Sequence, residues 1–202
     1  FTRTPVGPVI PHLFGTTVFR EASPLLAAYV WRFERFIPLV YRSNRFVVIS
    51  PSTRDDLVAR GVPAERIAVA LCGLDHGRYR LLGRERFADP VIVHLGRLRR
   101  YKSVETVIRA MGPIRERLPR ARLVVIGDGP HRPALEREAR RLGLAEAVEF
   151  RGYIGGEELV ELLNRAHLLV NPSPKEGWGL TVVEANACGL PVVASDRPGL
   201  RD

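Results

Sequence analysis

The chain has 202 residues, of which 46% are apolar, and a formal net charge of +9. That much aliphatic material excludes a disordered chain, and no run of about 18 apolar residues reads as a membrane span. The length accommodates one large domain or parts of two, and the positive charge points to an anionic partner: nucleic acid, an acidic membrane surface or a phosphorylated ligand. The first predicted element is a helix over 23–41, "SPLLAAYVWRFERFIPLVY", with Ser23 as N-cap and Pro24 in its first turn. Leu26, Tyr29, Val30, Phe33 and Ile37 share one face, opposite Arg32, Glu34 and Arg35. This spacing predicts an amphipathic helix facing a core; its aromatic and arginine content also suits a membrane surface. A strand at 46–50, a helix at 53–60, a break at Gly61 and Pro63, and a strand at 67–70 follow. They read as the tail of an α/β domain, and the Gly- and Arg-rich stretch 72–89 as a linker.

From Val91 onward the alternation is regular. Strands are expected at 91–95, 122–126, 147–150, 168–172 and 191–195. Helices lie between them: one capped by Ser103 with Val104, Val107, Ile108 and Met111 inward, one started by Pro133, one over 157–166 and one over 180–188. Pro113 is expected to kink or end the first of these. Short continuous apolar strands separated by helices describe a parallel sheet covered on both faces, a doubly wound α/β domain. The chain begins at Phe1 rather than Met and stops at Asp202 just after a strand, so it is expected to be a fragment with both domains incomplete. The expected division is 1–80 and 81–202.

Cys72 and Cys188 lie in no CxxC or Cys/His spacing, which argues against a zinc site or a disulfide framework; Cys188 fits a small core residue. Only Lys102 and Lys175 of the 31 basic residues are lysine. The arginines are spread along the chain and no RNA- or DNA-binding motif accompanies them, so no nucleic-acid partner is expected and most are solvated surface.

In open α/β sheets ligands sit at the carboxyl ends of the strands. Those ends carry "GRLRRYKS", "GDGP", "RGYI" and "SPKEGWGL". Arg97 and Lys102 flank a helix start, where two cations and free N–H groups suit a diphosphate; surface arginine and lysine are the plain alternative. Gly177 and Gly179 allow close approach of backbone to ligand before the next helix, with N–H groups around Gly179, Leu180 and Thr181 able to hold an anion. Glu176 sits in the loop before that helix and Glu184 one turn inside it. A carboxylate beside a phosphate repels it, so both glutamates suit neutral hydroxyls, those of a transferred sugar and of a ribose; both could equally be surface charges. "GDGP" lacks the third glycine of a dinucleotide fingerprint, so turn chemistry explains it as well. There is no Walker A sequence and no Asp-x-Asp pair, so no metal clamp is expected.

From about Arg45 to Asp202 the sequence resembles a retaining glycosyltransferase of family 4, with the GT-B fold. The resemblance rests on "VVISPSTRDDLVARGVPAERIAV", "GLD", "GRLRRYKSVETVIRAM", "LVVIGDGP", "VEFRGYI" and "EGWGLTVVEANACGLPVVAS", the last carrying the family's Glu-x7-Glu motif. It implies a Rossmann-like donor domain plus a partial second α/β domain. It also implies that Arg97 and Lys102 hold the donor diphosphate, with Glu176 at the transferred sugar and Glu184 at the ribose. The backbone from Gly177 through Trp178, Gly179 and Leu180 to Thr181 would hold sugar and phosphate. Gly96 and Gly127 would border the donor, Tyr153 and Ile154 would lie near the base, and His12 in "PVIPHLFG" would face the donor sugar. It implies a nucleotide-diphosphate sugar as donor and a glycan or lipid-linked acceptor. Neither metal nor cofactor is expected, and the arginine-rich charge is compatible with a cytoplasmic protein in peripheral contact with the inner, anionic face of the membrane. Two positions depart from the family pattern: Cys72 stands where Asn is usual and His167 where Asp is usual. A nucleotide-sugar epimerase on a similar scaffold and a non-catalytic nucleotide-binding module are the competing functions.

Overall fold

A computed structural model describes residues 7–202. Residues 1–6, assigned from sequence to the first domain, lie outside the described residues. The chain forms two compact units: one takes the chain up to Gly73, together with Lys175–Gly179 and Asp196–Asp202, and the other takes Leu74–Pro174 and Leu180–Ser195.

The second unit is built on five parallel strands, β4 (Val91–Leu95), β5 (Arg122–Ile126), β6 (Val148–Gly152), β7 (Leu168–Asn171) and β8 (Val192–Ala194), in the order β6-β5-β4-β7-β8. Successive strand residues point to opposite faces. Val91, Val93, Val124 and Ile126 therefore enter one core with Leu163, Leu169 and Ala185, while Ile92, Leu123 and Val125 enter another with Val107, Ile108, Met111 and Leu135. Helices α4 (Val104–Arg117), α5 (Arg132–Arg141), α6 (Gly156–Arg165) and α7 (Leu180–Ala187) alternate with the strands. Two filled faces are why these strands read as unbroken apolar runs. Buried His94 interrupts β4 with a polar ring, and its Nδ1 lies 3.1 Å from the Val170 carbonyl on the neighbouring strand β7. Cys188 is a free thiol packed in the first of these cores.

The first unit has a three-stranded parallel sheet, β1 (Val9–Ile10), β2 (Phe46–Val48) and β3 (Ile67–Val69), in that order. β1 has no counterpart among the predicted strands. Its helices are α1 (Pro24–Glu34), α2 (Ile37–Val40) and α3 (Pro51–Val58). Helix α3 starts two residues earlier than its apolar pattern suggests, because Ser50 is its N-cap, with Oγ accepting from Thr53 N–H at 3.1 Å, and Pro51 fits the first helical position.

Four local expectations are corrected. Ser103 precedes α4 but does not cap it: its φ is +54°, and its side chain makes no capping bond. Pro113 does not end α4, which continues to Arg117. The stretch 72–89 is no free linker. It straps onto α6, where buried Asn164 accepts from Leu82 N–H at 2.7 Å and donates to the Arg80 carbonyl at 3.1 Å. Finally, α1 does not bury Leu26, Tyr29 and Phe33, which are 54%, 57% and 53% exposed; the buried residues of the helix are Ala27 and Glu34. The Glu34 carboxylate explains the rotation. It accepts from Phe14 and Gly15 N–H at 2.7 and 2.9 Å, at the start of a 3-10 helix over Gly15–Arg20, and lies 3.7 Å from Arg60. An anion there satisfies donors that the helix start leaves free, so the charged residue turns inward.

The arginine excess is spread over surface ion pairs such as Arg84–Glu161, Arg120–Asp89 and Arg151–Glu149. Arg109 and Arg141 both bond Glu138 and hold its carboxyl well below the usual range, at about 2.

Candidate functional site

The carboxyl ends of β4 and β5 are joined beyond the strands themselves. Gly96 N–H donates to the Ile126 carbonyl and Leu98 N–H to the Asp128 carbonyl, both at 3.0 Å. A Cβ on Gly127, whose φ is +118°, would lie 2.1 Å from the Gly96 carbonyl oxygen, and one on Gly129 would lie 2.4 Å from that of Leu98. The glycines of "GDGP" therefore serve backbone-to-backbone packing of two loops, the turn chemistry weighed from sequence.

This seam floors a cavity of about 440 Å³ within the second unit, in the size range of small-molecule sites. The β4 end supplies Gly96 and Arg97, the β5 end Gly127 and Asp128, the β6 end Tyr153 and Ile154, and α7 supplies Thr181 and Glu184. Arg97 is exposed and has no ion-pair partner among the described residues. Tyr153 is 85% exposed, with its hydroxyl 3.1 Å from where a Cβ on Gly155 would stand. Burial pushes the half-buried Glu184 carboxyl up, opposed by a hydrogen bond from Tyr79 and by the charge of Arg78. The Tyr79 hydroxyl is also pushed up, first by burial and then by Glu184.

Seven residues proposed from sequence thus line one cavity: Gly96, Arg97, Gly127, Tyr153, Ile154, Thr181 and Glu184. The others lie elsewhere. Lys102 ends a 3-10 turn over Arg100–Lys102, its ammonium 5.1 Å from the Tyr101 ring centre. Leu180 opens α7 and is 41% exposed. Glu176, Gly177, Trp178 and Gly179 belong to the first unit, as does His12. There the loop is tied down at several points. Lys175 Nζ bonds Asp56 at 2.8 Å, Glu176 N–H donates to the Pro198 carbonyl at 3.2 Å, and a Cβ on Gly177 would stand 3.0 Å from the Pro11 carbonyl oxygen. His12, next to Pro11, sets its ring edge-on to Phe14 with centres 5.0 Å apart.

Arg78 and Tyr79 also line the cavity and were not singled out from sequence. They sit in the stretch read as a linker; the only signal was an aromatic residue among polar neighbours, five positions after Leu74. A larger cavity of about 820 Å³ lies along the same strap and is lined by charges of both signs, Arg80 and Arg84 with Glu157, Glu158 and Glu161. Arg84 and Glu161 satisfy one another at 2.9 Å, and no strand end reaches this cavity, so the smaller one is the better candidate. Among the described residues no group of three or more His, Cys, Asp or Glu is placed to hold a metal ion, and no helix is long and apolar enough to cross a membrane.

The family model for glycosyl transferases group 1 matches residues 84–202, and that for Glycosyltransferase Family 4 matches 8–78. The chain is 32% identical over 164 residues to glycogen synthase of Mycobacterium tuberculosis, covering 80% of this chain and 40% of that protein. It is 35% identical over 168 residues to the GDP-mannose-dependent alpha-(1-6)-phosphatidylinositol monomannoside mannosyltransferase of Mycolicibacterium smegmatis, covering 79% and 43%. The chain thus spans about two fifths of the length of these relatives. Among solved structures, Anabaena Alr3699/HepE in complex with UDP-glucose matches with a TM-score of 0.78 at 23% identity, over 98% of this chain and 55% of that one. The parallel sheets in the order found here, the cavity at the carboxyl ends of the five-stranded sheet and the match over 84–202 agree: the chain belongs to the glycosyl transferases group 1 family and has the α/β architecture of GT-B glycosyltransferases.

Proposed function

We propose that the protein transfers a sugar from a nucleotide-diphosphate sugar to a glycan or lipid-linked acceptor, with retention of anomeric configuration and without a metal ion. The observation that carries this is the cavity of the second unit, which collects Arg97 from the end of β4 and Thr181 and Glu184 from α7. Arg97, with Lys102, meets the charge of the diphosphate, first in binding and then as it leaves. The start of α7 offers N–H groups without intrahelical acceptors to the same anion. Glu184 accepts from a ribose hydroxyl, which needs an acceptor rather than a cation, and Tyr153 and Ile154 flank the base. Glu176 and His12 act on the transferred sugar. UDP-glucose in the Anabaena structure and GDP-mannose in the name of the mycobacterial relative support a donor of this class without choosing the base.

The exposed apolar side chains of α1, with Arg32 and Arg35 beside them, support a peripheral contact with anionic membrane. The test is calorimetric titration with a panel of nucleoside diphosphates, followed by an assay for acceptor-dependent release of the one that binds. One member of the panel should bind, and Arg97→Ala with Lys102→Ala should weaken it by about tenfold or more, the loss expected for charge-assisted bonds. Unchanged affinity in that double variant would remove the diphosphate role.

A further inference from the structure

The end of β6 is irregular where it reaches the cavity. Val125 of β5 pairs with Phe150, but Ile126 pairs with Gly152, so Arg151 is an extra residue in the ladder, a bulge. Beyond it Gly127 N–H donates to the Gly152 carbonyl at 2.7 Å, and Tyr153 and Ile154 follow directly and line the cavity. Arg132, the first residue of α5, reaches the same point. Its guanidinium donates to the Phe150 carbonyl at 3.2 Å and to Glu136 at 2.8 Å, and lies 3.7 Å from Asp128, which also lines the cavity. We propose that Arg132 is a positioning residue for base recognition: it ties the bulge of β6 to the loop between β5 and α5, and so sets where Tyr153 and Ile154 meet a nucleotide base. This rests on those two residues flanking the base, as proposed above.

A cation is out of place at a helix start, where free N–H groups already carry partial positive charge. Arg132 is held there by acceptors from three segments: Asp128 before the helix, Glu136 one turn into it, and the Phe150 carbonyl on β6. A planar guanidinium with five donors can serve all three, whereas the ammonium of a lysine is a point charge without that fork. The contact is close. A Cβ on Gly152, whose φ is +70°, would stand 3.4 Å from Arg132 Nη1, and the guanidinium carbon lies 5.9 Å from the Phe150 ring centre. Arg151, the extra residue, is engaged by Glu149 at 2.7 Å and Glu158 at 3.9 Å, and leaves the carbonyl before it to Arg132. A bulge re-aims the side chains that follow it, so a clamp at its first residue fixes their register. Tyr153, 85% exposed, has little packing of its own to do so. Arg132 is not among the residues lining the cavity, so it acts on a ligand through this loop and through Asp128.

The experiment titrates uridine, guanosine, adenosine, cytidine and thymidine diphosphates by calorimetry into the unaltered chain, Arg132→Gln, Arg132→Lys and Glu136→Ala. The unaltered chain should prefer one base by about tenfold, the worth of one well-placed hydrogen bond. In Arg132→Gln that preference should shrink to about threefold or less. Affinity for the disfavoured bases should change by less than about twofold, because the groups proposed to meet diphosphate and ribose come from β4 and α7. Arg132→Lys keeps the charge beside Asp128 but not the fork, and should lose the preference to the same extent. Glu136→Ala loosens Arg132 from outside the cavity. It should lower the preference by about twofold, and by nothing further in an Arg132→Gln background. A purely structural role would weaken every diphosphate alike.

If the unaltered chain discriminates bases while both Arg132 variants keep the full preference, or lose affinity for all bases equally, Arg132 does not position the base loop. Full preference in Arg132→Lys alone would show that the charge suffices without the fork, and would also overturn the proposal. If the unaltered chain binds every base alike, or if Tyr153→Ala with Ile154→Ala keeps the preference intact, the base is not read at those two residues, and the inference fails together with that assignment.

Discussion

Both sheets are parallel, but they are buried to different depths. Each strand in the middle of the second unit sends alternate residues into two separate cores. In the first unit one cluster, around Phe46, Val48, Leu57 and Ile67, serves the whole sheet, while Ala68 and Val69 of β3 are exposed. The helices differ in the same way. Helix α4 buries Val104, Val107, Ile108 and Met111, the stripe its spacing predicts. Helix α1 has an equally plausible stripe and leaves most of it in solvent. An apolar pattern therefore reports that a face could be covered; whether it is depends on what else the chain brings to it.

That contrast can be broken or sharpened by substitution. The largest effect is expected at Gly127→Ala. The new methyl meets the Gly96 backbone at 2.1 Å in a conformation disfavoured for alanine, and neither loop can move without breaking the β4–β5 seam. A loss of about 3 kcal/mol or more in urea unfolding, with faster amide exchange in β4 and β5, is expected. A loss under about 1 kcal/mol would show that the seam yields.

Next come two leucines. Leu163, fully buried on α6, should cost about 2–5 kcal/mol as Leu163→Ala, whereas Leu25, 87% exposed on α1, should stay within about 0.5 kcal/mol as Leu25→Ala. Similar costs at both sites would mean that the α1 face is covered in solution. Glu34→Ala removes the acceptor of two backbone N–H groups and should cost about 1.5–3 kcal/mol, confined to the first unit. Amide exchange should quicken at Phe14 and Gly15 ahead of any strand; if their protection is unchanged, the carboxylate is not what holds the 3-10 helix.

The smallest effect is that of Glu184→Gln on stability. A carboxyl raised in the fold holds its proton more tightly there than in the unfolded chain. Stability contributed by Glu184 is therefore full below the ordinary carboxylate range and falls as pH rises through the elevated folded value. Glutamine does not titrate, so the variant should match the parent near pH 4 and melt slightly higher at pH 7, while binding nucleoside diphosphate less well. Equal melting at both pH values would argue that Glu184 is not perturbed by burial.

Much of the second unit was legible in residue order. The β4 and β5 boundaries follow directly from "VIVHL" and "RLVVI", because a strand buried on both faces reads as a short, mostly apolar run bounded by loop residues. Ser103 and Pro113 misled for local reasons. A serine before a helix is usually a cap, but here a tight 3-10 turn at Arg100–Lys102 forces it into a left-handed conformation. Proline removes one backbone donor and crowds the carbonyl four residues earlier, but α4 carries four residues past Pro113, with Val104, Val107, Ile108 and Met111 buried ahead of it. Of the site, Arg97 and Glu184 were visible as charges flanking glycine-rich helix starts. Tyr79 and Arg78 were not, because nothing in "GLDHGRYR" indicates that this strap folds back against α7.

The sequence by itself determined the alternation of strands and helices, the glycines that close the loops and the acidic and basic residues at the strand ends, since each follows from local periodicity and backbone freedom. Only the tertiary structure decided which of those residues share a cavity, that Glu34 turns inward while Phe33 stays in solvent, and that Tyr79 lines the same cavity as Glu184. Those outcomes depend on groups far apart in the chain competing for the same buried donors and surfaces, and no window of neighbouring residues contains that competition.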